Sequence, residues 1–281
     1  LDDFDPPPTT PFSPQTKRVF MFKNAIVQSV LGFVFSRMTT PVHALASSSV
    51  IGKGSSPSTT PSTVTIIGFG SLMSETSSRT TFPNLENFRL ARVLGYRRIF
   101  RHPAPIFFER GIANVDTLEV SSLSAEPAGP DCGFVVAVFD VPQPTPSEMK
   151  AFIKREEEFD LVEAGFTELD GGKEGVGLLC AASTDEKFIE TWGQERFDVG
   201  YRAYGIETIW GWGADIRPCA VYLRHCVLAV SKEGVDSRAK ESFLDETFLA
   251  DRETRLRDYL EASPHVLTTE PPASLVERYS G

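Results

Sequence analysis

Two short stretches of the chain carry residue types that can do chemistry together. At Phe69-Gly70-Ser71-Leu72, glycines at positions 68 and 70 remove the Cβ atoms that would shield the backbone. The amides of Gly70, Ser71 and Leu72 can then face an anion or a developing oxyanion, and a Cβ at position 70 would block that approach. About eighty residues later, Arg155-Glu156-Glu157-Glu158-Phe159 supplies a run of carboxylates. The spacing predicts a helix over 147–159, with Ser147 as N-cap and Met149, Phe152 and Ile153 on one face at ~3.6 residues per turn. On that wheel Glu156 falls within the apolar stripe, Glu157 on its flank and Glu158 opposite. A carboxylate on a buried face has its pKa raised or takes a dedicated partner, and both suit a general acid/base. The plainer alternatives are a glycine turn that needs positive φ and a helix that frays before residue 156, leaving three solvated acids.

Other chemistries fit less well. A dinucleotide fingerprint needs a small residue where this chain has Met73, and a serine nucleophile elbow needs Gly there, so Ser71 reads as a hydrogen-bond donor. Cys132, Cys180, Cys219 and Cys226 show no Cys-x-x-Cys pairing and no His at ligand spacing, so no metal site is expected and most should be small buried hydrophobes. A net charge of −10 argues against nucleic acid as a partner. Arg97, Arg98 and Arg101 form the one local basic cluster and read as a solvated strand edge.

The elements that must hold these stretches read mostly as strands. The β-branched run Val64-Thr65-Ile66-Ile67 stops at Gly68 as a buried strand meeting a loop would. Residues 88–100 read as one long curved strand bent at Gly95, residues 110–115 as a short strand and 133–141 as a buried one closed off by Pro142, Pro144 and Pro146. The segments 159–164 and 177–182 are further strands around an Asp170-Gly171-Gly172 turn, 218–230 is mixed, and 251–262 is a helix with Asp251 as N-cap. Trp192, Trp210 and Trp212 are expected in a core. Strands outnumber helices without regular crossovers. The expected fold is therefore α+β, a mixed and mainly antiparallel sheet closing into a small barrel with a few packed helices.

The N-terminal part differs in kind. No Asp or Glu occurs from Pro6 to Ser74, while Lys17, Arg18, Lys23, Arg37 and Lys53 are scattered among Ser, Thr and Pro. Such composition marks an organelle transit peptide, for a plastid or mitochondrion, or else a disordered tail. The apolar run 25–36 is too short to span a bilayer, and His43-Ala44-Leu45-Ala46 has the form of a processing signal. Residues 1–61 are expected to be presequence and linker, and 62–281 the folded domain.

Taken together, the Gly-aromatic-Gly-Ser-Leu loop after a strand, and Arg155-Glu156 with Phe159 on a helix beyond it, resemble the γ-glutamylcyclotransferase family. In that family a Tyr-Gly-Ser-Leu motif opens the first strand-to-loop turn and one glutamate is the acid/base. The resemblance implies that Phe69, Gly70, Ser71 and Leu72 cradle substrate and that Glu156 is catalytic. It implies a small-molecule γ-glutamyl substrate whose own α-amine closes a ring on the γ-carbonyl, giving 5-oxoproline and a free amine, with no cofactor, metal or water. Phe69 stands where that family has Tyr, which deletes a phenol hydroxyl; a ring used only for packing leaves the chemistry unchanged. The competing expectation is a catalytically silent relative serving as a binding or assembly module.

Overall fold

A computed structural model describes residues 63–281. The expected presequence and linker lie outside the described residues. Among the described residues, nine strands form one sheet: β1 (Thr63–Gly68), β2 (Glu86–Leu94), β3 (Tyr96–Pro103), β4 (Glu119–Pro127), β5 (Gly133–Pro142), β6 (Asp160–Glu168), β7 (Glu174–Ala181) and the short β8 (Arg217–Pro218) and β9 (Thr247–Phe248). The main helices are α1 (Glu75–Arg79), α2 (Pro105–Glu109), α3 (Pro146–Arg155), α4 (Asp185–Trp192), α5 (Gln194–Gly200), α6 (Ala220–Val230), α7 (Ser237–Asp245) and α8 (Leu256–Ala262). None is long and apolar enough to cross a membrane.

The sheet closes on itself. β1 pairs antiparallel with β5, β5 with β2, β2 with β6 and β6 with β7, and β7 returns to β1 in parallel. β4 and β3 extend from β7 as an antiparallel pair outside this five-stranded barrel, with β8 beside β4 and β9 beside β3. The fold is thus α+β with a mixed, mainly antiparallel barrel, as expected. Ile66 and Ile67 on β1 and the Phe134–Phe139 run on β5 are buried, which is why both strands read as unbroken apolar segments. The β6–β7 hairpin turns at Gly171 and Gly172, both at positive φ.

Several expectations need correction. The single strand over 88–100 is two strands, because Gly95 at φ 81° turns the chain from β2, paired with β5 and β6, to β3, paired with β4. Residues 110–115 form no strand beyond an isolated bridge at Asn114, and the preceding α2 is a five-residue helix opened by Pro105, too short to show a period. The mixed segment 218–230 is mostly α6, and the last helix starts at Leu256, Asp251 instead capping a turn at Glu253 and Thr254. Arg98 is no solvated edge residue: it is 0% exposed, while Arg97 and Arg101 pair with Glu126. The tryptophans behave as core residues. Trp210 packs with Phe188, Phe197, Tyr201 and Ile209, and Trp192 and Trp212 cover that cluster.

Topology explains how distant segments come to share one end of the barrel. β1 and β7 run parallel with Ile67 opposite Leu179, so the loop after Gly68 lies beside Cys180 near the end of β7. β6 runs antiparallel to β7 with Asp160 opposite Ala181, so residues 156–159, which lead into β6, arrive at the same end.

Candidate active site

Both sequence stretches line one cavity of about 580 Å³, which includes Phe69, Gly70, Ser71, Leu72 and Glu156. Arg155 bridges them. Its Nη2 donates to Ser71 Oγ at 3.1 Å, its Nη1 to Thr81 Oγ1 at 2.7 Å, and its Nε lies 3.0 Å from Glu156 Oε1. The loop itself is pinned from behind: Met73 N–H donates to Gly70 O at 2.9 Å, and Ala137 N–H of β5 donates to Met73 Sδ at 3.1 Å. The N–H groups of Gly70, Ser71 and Leu72 make no hydrogen bond to a protein acceptor among the described residues. All three residues line the cavity, so it has backbone donors that no protein group uses. Phe69 is 6% exposed with its ring edge-on to Phe134, and its carbonyl faces Arg98 Nη1, so the residue is held by the core.

The glutamate run differs from the helical-wheel expectation. A capping box joins Thr145 and Glu148, with Pro146 rather than Ser147 opening the helix, and Met149 and Phe152 are buried. The last helical bond runs from Glu156 N–H to Phe152 O at 3.0 Å, after which the chain turns into β6. The helix does end before the acids, yet none of the three is solvated. Glu157 is 6% and Glu158 5% exposed, although the wheel sets the first on the flank of the apolar stripe and the second opposite it. The turn, not the helix face, sets where each side chain goes.

Their surroundings give them three different characters. Burial pushes the Glu156 carboxyl up, opposed by the Arg155 guanidinium and by a hydrogen bond with Cys180. Glu157 is locked by Arg196, whose Nε donates at 2.9 Å, and by Lys154, while Arg196 also reaches Glu109 at 3.1 Å. Glu158 forms no ion pair among the described residues, and burial with Glu157 beside it pushes its carboxyl well above the usual range. The folded state holds that proton where the unfolded chain would release it, so this group makes stability fall as pH rises above the ordinary Glu value. Glu158→Gln should therefore raise the melting temperature, by an amount that is near zero below the ordinary Glu value and grows as pH rises above it. A pH-independent difference in thermal denaturation would contradict the assignment.

Tyr222 and His225, one turn apart on α6, also line the cavity and were missed because that helix is apolar on nearly all sides. A Cβ built on Gly70 would lie 2.5 Å from Tyr222 Oη, so a side chain there meets this phenol before it shields the amides. Gly70→Ala should lose about 1–3 kcal/mol of stability by overpacking. Adding Tyr222→Phe should recover most of it, since the next phenol atom, Cζ, would be 3.7 Å away. Chemical denaturation decides, and no recovery would mean that the clash is not the cause. His225 is buried, with Nδ1 accepting Gly281 N–H at 3.0 Å, and burial pulls its pKa down to about 4, so the ring is neutral at pH 7. Arg110, Arg278 and Tyr279 complete the lining relevant here.

No family model matches the chain, and no curated protein matches it. Among solved structures it is similar to a γ-glutamyl cyclotransferase specific to glutathione from yeast, at 12% identity over 73% of this chain and 96% of that one, with a TM-score of 0.41. It is also similar to a protein titled γ-glutamyl cyclotransferase, at 11% identity over 43% of this chain and 67% of that one, with a TM-score of 0.31. An uncharacterized protein from Homo sapiens matches at 14% identity over the same shares, with a TM-score of 0.34. Any assignment of chemistry to this chain rests on the cavity itself.

Proposed function

We propose that the cavity cyclises a γ-glutamyl peptide or amine to 5-oxoproline. The substrate's α-nitrogen attacks its γ-carbonyl carbon, the amide C–N bond breaks, and the amine leaves. Glu156 takes the proton shed by the α-nitrogen and returns it to the departing nitrogen. The amides of Gly70, Ser71 and Leu72 hold the α-carboxylate or the oxyanion that develops on the γ-carbonyl oxygen. Arg155 keeps the two parts in register. Ring closure is intramolecular, so orientation of the substrate supplies much of the rate.

The observation that carries this reading is the Arg155 bridge, one guanidinium bonded to Ser71 and paired with Glu156 in a shared cavity. The test is incubation with γ-glutamyl-alanine and quantification of both products. Equimolar 5-oxoproline and alanine, released in proportion to enzyme, is the expected result. No release from this or other γ-glutamyl compounds would leave the binding-module reading ahead.

A further inference from the structure

Besides the loop amides, the cavity has a second set of donors, carried by a helix that is otherwise apolar. Tyr222 and His225 lie three residues apart on α6, so their side chains leave the same face, and both line the cavity. Tyr222 Oη lies 2.5 Å from the point where a Cβ on Gly70 would stand, which puts the phenol against the amide loop. Its ring packs on Phe107, with centroids 5.0 Å apart, and edge-on to Phe100 at 6.3 Å.

His225 is fixed in one tautomer. A backbone N–H can only donate, so the bond from Gly281 N–H at 3.0 Å makes Nδ1 the acceptor and leaves the ring proton on Nε2. The side-chain atoms that are both unpaired and closed off from solvent include the two ring nitrogens of His102 but not His225 Nε2. That N–H, which meets no acceptor among the described residues, therefore opens on the cavity that the residue lines. The ring is 3% exposed and held edge-on by Tyr279, with centroids 5.6 Å apart. Both donors are uncharged. Burial pulls the imidazole down to about 4 and pushes the phenol well above its ordinary value, so each keeps one proton at neutral pH.

The cyclisation proposed above, on which this inference rests, presents two oxygen groups of the glutamyl half. The α-carboxylate is charged from the start, whereas the γ-carbonyl oxygen is neutral until the α-nitrogen attacks. The loop amides stand beside the Arg155 guanidinium, which donates to Ser71 Oγ at 3.1 Å, and suit the permanent anion. Preorganised donors accelerate a reaction most where they face charge that develops in it. We propose that Tyr222 Oη–H and His225 Nε2–H donate to the γ-carbonyl oxygen and hold the oxyanion formed on it, leaving the Gly70–Leu72 amides to the α-carboxylate. As the α-nitrogen bonds to the γ-carbon, the carbonyl π pair moves to that oxygen; as the pair returns, the amide C–N bond breaks. Neither donor gives up its proton, and proton transfer stays with Glu156.

The test is steady-state turnover of γ-glutamyl-alanine by Tyr222→Phe, His225→Asn and His225→Gln, with thermal unfolding read on the same samples. Asn keeps an oxygen for Gly281 N–H near the place of Nδ1 but has no donor at the place of Nε2, where Gln can present an amide N–H. Tyr222→Phe and His225→Asn are each expected to lose about 10² to 10³ in kcat with KM within about threefold, and His225→Gln to keep part of the rate. A purely structural role would make Asn and Gln alike. The second readout is the same compound with sulfur, a weaker acceptor, in place of the γ-carbonyl oxygen: the parent should prefer oxygen more strongly than Tyr222→Phe does. Unchanged kinetics, a raised KM at unchanged kcat, or an oxygen preference equal in parent and Tyr222→Phe would overturn the assignment. If the His225 variants unfold, Tyr222→Phe decides on the same criteria. Absence of 5-oxoproline from the parent would instead overturn the cyclotransferase reading, and this role with it.

Discussion

Glu156→Gln is expected to slow 5-oxoproline formation by about 10² to 10⁴ while the domain stays folded. Gln keeps the size and a hydrogen-bonding oxygen for Arg155, and removes the base. Its two neighbours serve as contrasts. Glu157→Gln removes the buried acceptor of Arg196 and Lys154, so its main effect should be a lowered melting temperature, with a loss below the roughly 3–5 kcal/mol of a fully buried pair because Arg196 keeps Glu109 and Lys154 is half exposed. Glu158→Gln should gain stability at high pH. Three consecutive glutamates thus have three signatures, one in rate and two of opposite sign in stability. In the parent the rate should climb with pH through a value above the ordinary Glu range, because the active form is the carboxylate and burial disfavours it. Glu156→Gln should lose that limb. Full activity in Glu156→Gln would withdraw the catalytic assignment, and an equal rate loss at all three positions would point to a general electrostatic effect.

The parts of this fold that were legible in the sequence are those fixed by local pattern. β1, β5 and the β6–β7 hairpin follow from unbroken apolar runs and an Asp-Gly-Gly turn, and the loop after β1 follows from its glycines. For Glu156 the helical stripe is half of the explanation. The stripe of Met149 and Phe152 is buried, but the helix stops at Arg155, and what buries the acids is the turn into β6. The partner of Glu157 lies thirty-nine residues on, at Arg196, so no wheel drawn on one helix can find it. The same holds for Tyr222 and Arg278, which reach the cavity through packing of α6 and of the segment after it. Helices α4 and α5 leave no clear periodic signal because they are short and mix aromatic with acidic residues. Side chains whose roles depend on long-range partners leave little trace in sequence spacing.

Arg98 is the strongest case, and Arg98→Ala is expected to destabilise the domain by several kcal/mol. Its Nε donates to Thr247 Oγ1 at 2.7 Å, Nη1 to Val135 O at 3.0 Å, and Nη2 to Ser242 Oγ at 3.3 Å. The rings of Phe134 and Phe243 lie 4.9 and 4.8 Å from its guanidinium carbon. It has no carboxylate partner within ion-pair distance among the described residues. Burial pulls its pKa down to about 9, which leaves it charged at pH 7. The ion is tolerated because its donors meet neutral acceptors and its faces meet aromatic rings. Alanine would leave a cavity and orphan those acceptors, at about 1–3 kcal/mol for each one that finds no water, out of a typical total of about 5–15 kcal/mol. Arg98→Lys should lose less than alanine but not recover the parent, since one ammonium cannot span β5, α7 and β9 at once. Arg98→Met separates charge from volume: it fills the space and removes the desolvation cost, so its stability should fall between alanine and the parent. Denaturant unfolding of the three variants gives the order. A methionine variant as stable as the parent would show that the hydrogen bonds of Arg98 contribute nothing net, and that β5, α7 and β9 are held together by packing alone.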